Sequence, residues 1–306
     1  MTRRVMVASY SNRRILEVIA THGYGNRARL LALGDSWFAF PLPLVGGSRN
    51  LVDAISTAKK TVAIDISRVG DTAENMARGD RFAQYRAILA GGDGEEPIEV
   101  AAILLSAGGN DLIDRIADLV GLVTRRVMRA AAARAAAPET QREAFAAVLR
   151  AVTREDAAQI YDDVLAHVRK LIAARDGGPS RASPVILHGY CHVTPRDAPA
   201  IDFPIEVGPW IWKKLTPLGY TQAQQQQIAA AVIDELNKRL SALNDEARGV
   251  YALDLRPLQA PGGPLPVADP GSLEPTPFWH DEIHLNSAGW DCVASNRFDP
   301  LLDRLL

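Results

Sequence analysis

The sequence predicts a three-layer α/β fold, in which a central parallel sheet of five strands lies between layers of helices. Short apolar segments alternate along the chain with longer segments of helical periodicity, as is typical of α/β domains. The third apolar segment, Glu99–Leu105, is apolar throughout its centre, which favours a strand buried on both faces. The composition, 47% hydrophobic and 23% charged, is ordinary for a globular protein. We therefore expect one domain that spans residues 1–306.

The order of the elements follows from periodicity and from turn residues. The strands are predicted at Leu31–Leu33, Thr61–Ile66, Glu99–Leu105, Pro184–Leu187 and Val250–Leu255. Helices are predicted at 11–21, from Ser48 to Lys60, at 81–90, from Thr221 to about Arg248, and at the chain end. A helical insertion of about 112–175 follows the third strand, either as a solvated helical hairpin or as a cap or an oligomer contact near the site. A proline-rich loop of about 192–220 is a candidate binding loop or lid.

Charge and hydropathy exclude several classes of partner. The net charge of −2 indicates neither nucleic acid nor an anionic membrane as a partner. No apolar stretch reaches the roughly 18 residues that a membrane span needs. Residues 1–20 lack the continuous apolar segment of a signal peptide, so a cytoplasmic location is expected. Cys191 and Cys292 have neither metal-binding spacing nor a disulfide framework. A small molecule is the expected partner, and the oligomeric state is left open.

Ser36 is the candidate nucleophile. It stands in the turn Gly34-Asp35-Ser36 at the carboxyl end of the first predicted strand, where open α/β sheets place their active sites. Taken alone, this serine could equally be a turn or capping residue. A serine hydroxyl needs a base to take its proton, and His284 with Asp281 three residues before it is the best candidate pair.

Other histidines and several hydrogen-bond donors also follow the strands. His188, His192 and His280 compete with His284 for the role of base. Acyl transfer further needs donors for a developing oxyanion, and the candidates are the backbone N–H groups of Ser36 and Gly70 and the side-chain amide of Asn110. Gly70 could instead be a simple turn glycine, and Asn110 could belong to a helix cap with Asp111.

Four blocks in this order resemble the SGNH hydrolase superfamily, also called GDSL esterases and lipases. The blocks are Gly34-Asp35-Ser36, Ser67-Arg68-Val69-Gly70-Asp71-Thr72, Gly108-Gly109-Asn110-Asp111 and Asp281-Glu282-Ile283-His284. Trp37 stands where the family name has leucine, a change that leaves the chemistry untouched. The match extends over residues 31–290.

The resemblance implies a flavodoxin-like sheet of strand order 2-1-3-4-5, and neither metal nor cofactor. It implies that Ser36 attacks an ester carbonyl, that His284 is general base and then general acid, and that Asp281 orients the imidazole. It further implies an oxyanion hole made by Ser36, Gly70 and Asn110.

Aromatic residues near these blocks are candidates for substrate binding, although each could instead pack in the core. They are Trp37, Phe38, Trp210, Trp212 and Trp279. The expected function is hydrolysis of carboxylic esters of short to medium acyl chain through an acyl-enzyme. A carbohydrate O-acetylesterase and a longer-chain lipase remain open as alternatives. A non-catalytic binding protein that retains the fold is the alternative from another class.

Overall fold

Six parallel strands form the central sheet of this protein. The structure, a computed structural model, describes residues 2–7, 11–40, 49–92, 94–132, 138–154, 157–201 and 207–306, with side chains described except at 116–117, 127–132 and 138–141. The strands are β1 Arg3–Met6, β2 Ala28–Gly34, β3 Thr61–Asp65, β4 Ala102–Ser106, β5 Val185–His188 and β6 Val250–Leu253. Their order across the sheet is β1-β3-β2-β4-β5-β6, and all neighbours pair in parallel.

The sheet has one strand more than the five that the sequence predicts, which is a correction. The added strand is β1 at the edge of the sheet, and it is only four residues long and begins with two arginines. Only Val5 of its four residues is buried, while Arg3 and Met6 are exposed, so no continuous apolar segment is left to recognise. The remaining strands follow the order β3-β2-β4-β5-β6, which is the expected 2-1-3-4-5 order.

Helices connect the strands and cover both faces of the sheet. They are α1 Asn12–Thr21, α2 Ser36–Ala39, α3 Leu51–Ala54, α4 Ala73–Met76, α5 Gly79–Ala90, α6 Gly109–Ala132, α7 Pro138–Thr153, α8 Ala158–Ala174, α9 Trp212–Leu215, α10 Gln222–Ser241, α11 Ser287–Val293 and α12 Asp299–Leu305. Every residue of β3, β4 and β5 is buried, which requires helices on each side. Within the described ranges, no helix is both long enough and apolar enough to cross a membrane.

Two predicted helices differ in extent from those observed. The helix predicted from Ser48 to Lys60 is a single turn, α3, whose N-cap is Asn50, and Ser48 itself lies outside the described residues. The helix predicted to begin after Thr221 does so with a reciprocal capping box, but it ends at Ser241 rather than near Arg248.

The two long connections of the chain, from β4 to β5 and from β5 to α10, both contain helices. The connection from β4 to β5 contains α6, α7 and α8, so the prediction of added helices after the third strand is confirmed. The long loop before α10 contains the short helix α9 and a 3₁₀ turn at Thr216–Leu218, and its residues 202–206 lie outside the description.

Close packing at the carboxyl end of β2 positions the turn that follows it. A Cβ atom on Gly34 would lie 2.7 Å from the Phe38 ring and 2.7 Å from the Cβ of Ser106. Only glycine lets β2 and β4 approach this closely while the chain turns at once into α2. The Asp35 and Ser36 side chains therefore leave the sheet at the carboxyl edge shared by the neighbouring strands.

Candidate active site

Ser36 and His284 meet although 248 residues separate them in the chain. The Ser36 Oγ lies 2.9 Å from the His284 Nε2, and both side chains are buried. Ser36 is the first residue of α2, and its backbone is held by the N-cap Asp35, whose side chain accepts from the Trp37 N–H at 3.0 Å. The hydroxyl is thus presented from a turn that its own hydrogen bonds hold in place.

Asp281 orients the imidazole of His284. Its Oδ2 lies 2.7 Å from the His284 Nδ1, while its Oδ1 accepts the backbone N–H groups of Ile283 at 2.8 Å and of His284 at 2.7 Å. Because a carboxylate can only accept hydrogen bonds, Nδ1 carries the proton and Nε2 is left as an acceptor that faces the Ser36 hydroxyl. The expected carboxylate, base and hydroxyl are therefore brought together in the order that proton transfer needs.

Aromatic rings enclose the imidazole. Phe40 stacks on His284 with ring centroids 4.3 Å apart, and Trp210 meets the same ring edge-on at 5.1 Å. These contacts exclude water from two sides of the base. Phe40 follows the candidate nucleophile by four residues, and its place in the chain alone does not distinguish it from a core residue.

The donors expected for an oxyanion lie on neighbouring loops. The Asn110 side-chain amide donates to the Asp71 carbonyl at 3.0 Å, which ties it to the loop that carries Gly70. Gly70 has a φ of +83°, a conformation that glycine adopts without strain. Among the described residues, the backbone N–H groups of Ser36 and Gly70 have no acceptor within hydrogen-bond distance. These groups are available to a ligand.

Behind the nucleophile lies a buried pair that the sequence analysis missed. The Tyr190 hydroxyl donates to Asp35 Oδ2 at 2.5 Å and accepts from the Gly109 N–H at 3.1 Å, while Ser106 Oγ donates to Asp35 Oδ1 at 2.8 Å. Burial raises the pKa of Asp35 to about 6, although the hydrogen bonds from Tyr190, Trp37 and Ser106 oppose this rise. The pair connects the loop of Ser36 to the loop of Asn110.

Two further buried charges hold the loop of Asp281 and His284, and both were missed. Glu282 accepts the backbone N–H groups of Ile211 at 2.6 Å and Trp212 at 3.1 Å, and burial raises its pKa to about 7. Arg196 donates to the Asp281 carbonyl at 2.9 Å. The sequence offered one signal for Glu282, its position inside the Asp-x-x-His block. It offered no signal for Arg196, because the groups that Arg196 contacts come from remote segments of the chain.

The competing histidines lie elsewhere. His188 stacks on Trp37 and is fully buried, which lowers its pKa to about 4. His192 binds Asp234 at 2.8 Å, and the His280 Nε2 lies 3.0 Å from the Ala200 carbonyl. None of these three is recorded within hydrogen-bond distance of Ser36 in the described part of the chain. Asp111, expected as a helix cap, lies in the first turn of α6 and accepts the Ala73 N–H at 2.8 Å instead.

The aromatic candidates divide into three groups. Trp210 contacts His284, and Trp37 lines the apolar pocket beside Ser36 although its ring is buried. Trp212 is half-buried at the start of α9. Phe38 and Trp279, the other two residues expected to bind substrate, have fully buried side chains, and neither lines that pocket. Large apolar side chains are generally buried wherever they can pack in the core.

The apolar pocket beside Ser36 has a cavity volume of about 90 Å³. Polar side chains lie at one end, from Asp35, Ser36, Asn110 and Tyr190, and the lining residues from α6, α9 and α10 beyond Asn110 are aliphatic.

The similarities to solved structures are weak. One is a gut microbial diltiazem-metabolizing enzyme, at 12% identity and a TM-score of 0.40, aligned over 91% of this chain and 47% of the enzyme. A Bacillus subtilis protein has 18% identity and a TM-score of 0.36, over 88% and 55% of the chains. An acetyl xylan esterase from Geobacillus stearothermophilus has 14% identity and a TM-score of 0.29, over 87% and 91%.

This chain thus spans about half the length of the first two structures. No family model and no curated protein matches the sequence. At these scores the similarities assign no function, so the functional conclusion rests on the geometry of the site.

Proposed function

We propose that this chain is a serine esterase of the SGNH type that hydrolyses carboxylic esters through an acyl-enzyme on Ser36. One observation carries the proposal, namely the continuous line of contacts from Ser36 Oγ to His284 Nε2 at 2.9 Å and from His284 Nδ1 to Asp281 Oδ2 at 2.7 Å. Two distances of this length in one line match the arrangement in which a serine gives its proton to an oriented imidazole.

Acylation is the first half of the proposed reaction. Ser36 Oγ attacks the carbonyl carbon while its proton passes to His284 Nε2, and the carbonyl oxygen becomes an oxyanion. The N–H groups of Ser36 and Gly70 and the amide of Asn110 stabilise that charge. The intermediate then collapses, the proton on Nε2 passes to the alcohol oxygen, and the alcohol leaves an ester on Ser36.

Deacylation repeats these steps with water. His284 takes a proton from water, the hydroxide oxygen attacks the acyl carbon, and the proton returns to Ser36 Oγ as the carboxylic acid leaves. Asp281 stabilises the imidazolium in both halves and holds the tautomer that each half requires. The net reaction consumes one ester and one water and releases one acid and one alcohol.

Labelling with a fluorophosphonate tests the proposal. The reagent reacts with activated serines, so we expect one stoichiometric adduct, located on the peptide that contains Ser36. Ser36→Ala is the control and is expected to take up no label. A wild-type protein that binds esters but takes up no label would indicate a binding protein with this fold and would refute the esterase proposal.

A further inference from the structure

The apolar pocket beside Ser36 lies between α6 and α10, and these helices run in opposite directions along it. At the start of α6, a Cβ atom on Gly108 would lie 3.4 Å from Leu236 in the second half of α10. About one turn beyond the pocket residue Val120, Thr124 of α6 is hydrogen-bonded to Tyr220, which directly precedes the cap of α10. The walls of the pocket therefore extend from the candidate active site toward the Thr124–Tyr220 contact.

The length of the pocket follows from the helix rise. Asn110 and Val120 both line it and are ten residues apart on α6, which corresponds to about 15 Å. Ile228 and Leu236 line it from α10 and are eight residues apart, about 12 Å. An extended hydrocarbon chain of about ten carbons matches these lengths.

The lining selects for a hydrocarbon. Beyond the polar end at Ser36, the described lining residues on α6 and α10 are aliphatic, among them Leu112, Ile113, Val120 and Val232. A sugar hydroxyl that entered this part would lose its hydrogen bonds to water without replacement. A methylene group that entered it would leave water for an apolar surface.

The position of His284 decides whether the acyl or the alcohol part of an ester enters the pocket. Ser36 and Asn110 line the pocket, whereas His284 is absent from the described lining. The leaving alcohol must lie against His284 to receive its proton, while the carbonyl oxygen points to Asn110. The acyl chain is the remaining substituent on the carbonyl carbon, and it extends from Asn110 into the pocket.

The segment around α9 forms a third wall of the pocket, beside α6 and α10, and hydrogen bonds hold it to both the candidate site and α6. Ile211 and Leu215 line the pocket from the segment around α9, and the Ile211 N–H is held by Glu282 at 2.6 Å. Lys214 of the same segment donates to the Asp114 carboxylate at 2.8 Å and to the Ile113 carbonyl at 3.2 Å. The pocket is therefore largely preformed.

We infer that this pocket is the binding site for the acyl chain of the substrate, that the substrate is an ester of a medium-chain fatty acid, and that Val120 limits the chain length. This inference rests on the proposed esterase function. Val120 is buried at the distal end of the α6 wall, about three turns of helix from Asn110.

Chain-length profiles of 4-nitrophenyl esters from acetate to dodecanoate test the inference. We expect kcat/KM to rise about fourfold for each added methylene, equivalent to about 0.8 kcal/mol, and to level off near ten carbons. A parallel series of alkyl acetates, in which the alcohol chain varies, should show a much smaller dependence. A maximum at acetate, or the steeper dependence in the alcohol series, would overturn the inference.

Val120→Phe is expected to shift the optimum to shorter acyl chains and to lower the ratio of decanoate to butyrate kcat/KM by at least tenfold. The matched control is Leu122→Phe on the same helix, because the Leu122 side chain is 59% exposed and the ratio should not change. The ratio is independent of the amount of folded enzyme. If Val120→Phe does not fold, Val120→Ala should move the optimum to longer chains.

An unchanged profile in both Val120 variants would refute the role of Val120. Fluorophosphonate labelling of Ser36 separates this failure from failure of the proposed function. Labelled enzyme with no preference for long acyl chains contradicts only the pocket assignment, whereas unlabelled protein without ester turnover contradicts the esterase proposal itself.

Discussion

Replacing Asp281 by asparagine changes one atom of the candidate site and inverts the tautomer of His284. The carboxamide oxygen of the new side chain can still accept the two backbone N–H groups that Oδ1 accepts, at 2.7 and 2.8 Å in the wild type. The new NH₂ group then faces His284 Nδ1, where the carboxylate Oδ2 lies at 2.7 Å. Two donors cannot share this contact, so Nδ1 must become the acceptor and Nε2 must carry the proton.

An Nε2 that carries a proton donates to Ser36 and cannot accept from it. The same change in a protease triad lowers kcat by about 10⁴-fold, or about 5 kcal/mol of transition-state stabilisation. We expect a loss of the same order for Asp281→Asn, because the geometry around Nδ1 and Nε2 has the same donors and acceptors. The free energy of unfolding should change little, since the backbone hydrogen bonds are retained.

The assay is kcat/KM for a 4-nitrophenyl ester near pH 8, with urea unfolding of the same preparation to confirm the fold. Asp291→Asn and Asp254→Asn are the controls, since these carboxylates pair with Arg49 and Arg256 and not with a histidine. Activity of Asp281→Asn within tenfold of the wild type, together with an inactive control variant, would show that a different carboxylate orients the base.

Two further predictions concern the buried carboxyl groups of Asp35 and Glu282. Tyr190→Phe leaves the Gly109 N–H unpaired and removes a donor from Asp35, so it should lower the free energy of unfolding by about 2–4 kcal/mol. This loss, from urea titration, should be larger at pH 8 than at pH 5, where Asp35 with its pKa raised to about 6 is mostly protonated, and equal losses would refute the pairing. Burial raises the pKa of Glu282 from 4.5 to about 7, so between these two pH values the folded state holds a proton that the unfolded state has released. The free energy of unfolding of the wild type should therefore fall by about 3 kcal/mol through this group from pH 4.5 to pH 7. In Glu282→Gln the decline should be smaller by this amount, with the part that comes from Asp35 remaining, whereas parallel stability curves for the two proteins would contradict the prediction.

The main features of the fold could be predicted because the hydrophobic pattern of each central strand agrees with its buried position in the sheet. Residues 62–64 and 100–105 are apolar without alternation, and buried parallel strands need that pattern. β1 could not be predicted, since an edge strand with two arginines and a single buried residue has no such signal. The predicted length of α3 was wrong for another reason. The backbone N–H groups of Ser56 and Ala58 donate to Asp299 and Asp303 of α12, so the helix does not continue past Ile55.

The candidate site could be predicted where it depends on residues close in sequence. Asp281 and His284 are three residues apart, and a turn of this length lets carboxylate and ring meet. The supporting residues could not be predicted, because the contact of Tyr190 with Asp35 spans 155 residues and that of Arg196 with Asp281 spans 85. Phe38 and Trp279 are fully buried, and the sequence could not indicate this because an aromatic residue beside a motif has the same signature whether it faces substrate or core.

Trapping the acyl-enzyme is the most direct test of the central claim. Acid quench during turnover of a 4-nitrophenyl ester, followed by intact mass measurement and peptide mapping, should find one acyl group on the peptide that contains Ser36. Ser36→Ala should lack the adduct and lose on the order of 10³-fold or more in kcat. An acyl group on another residue, or near wild-type turnover in Ser36→Ala, would contradict the account.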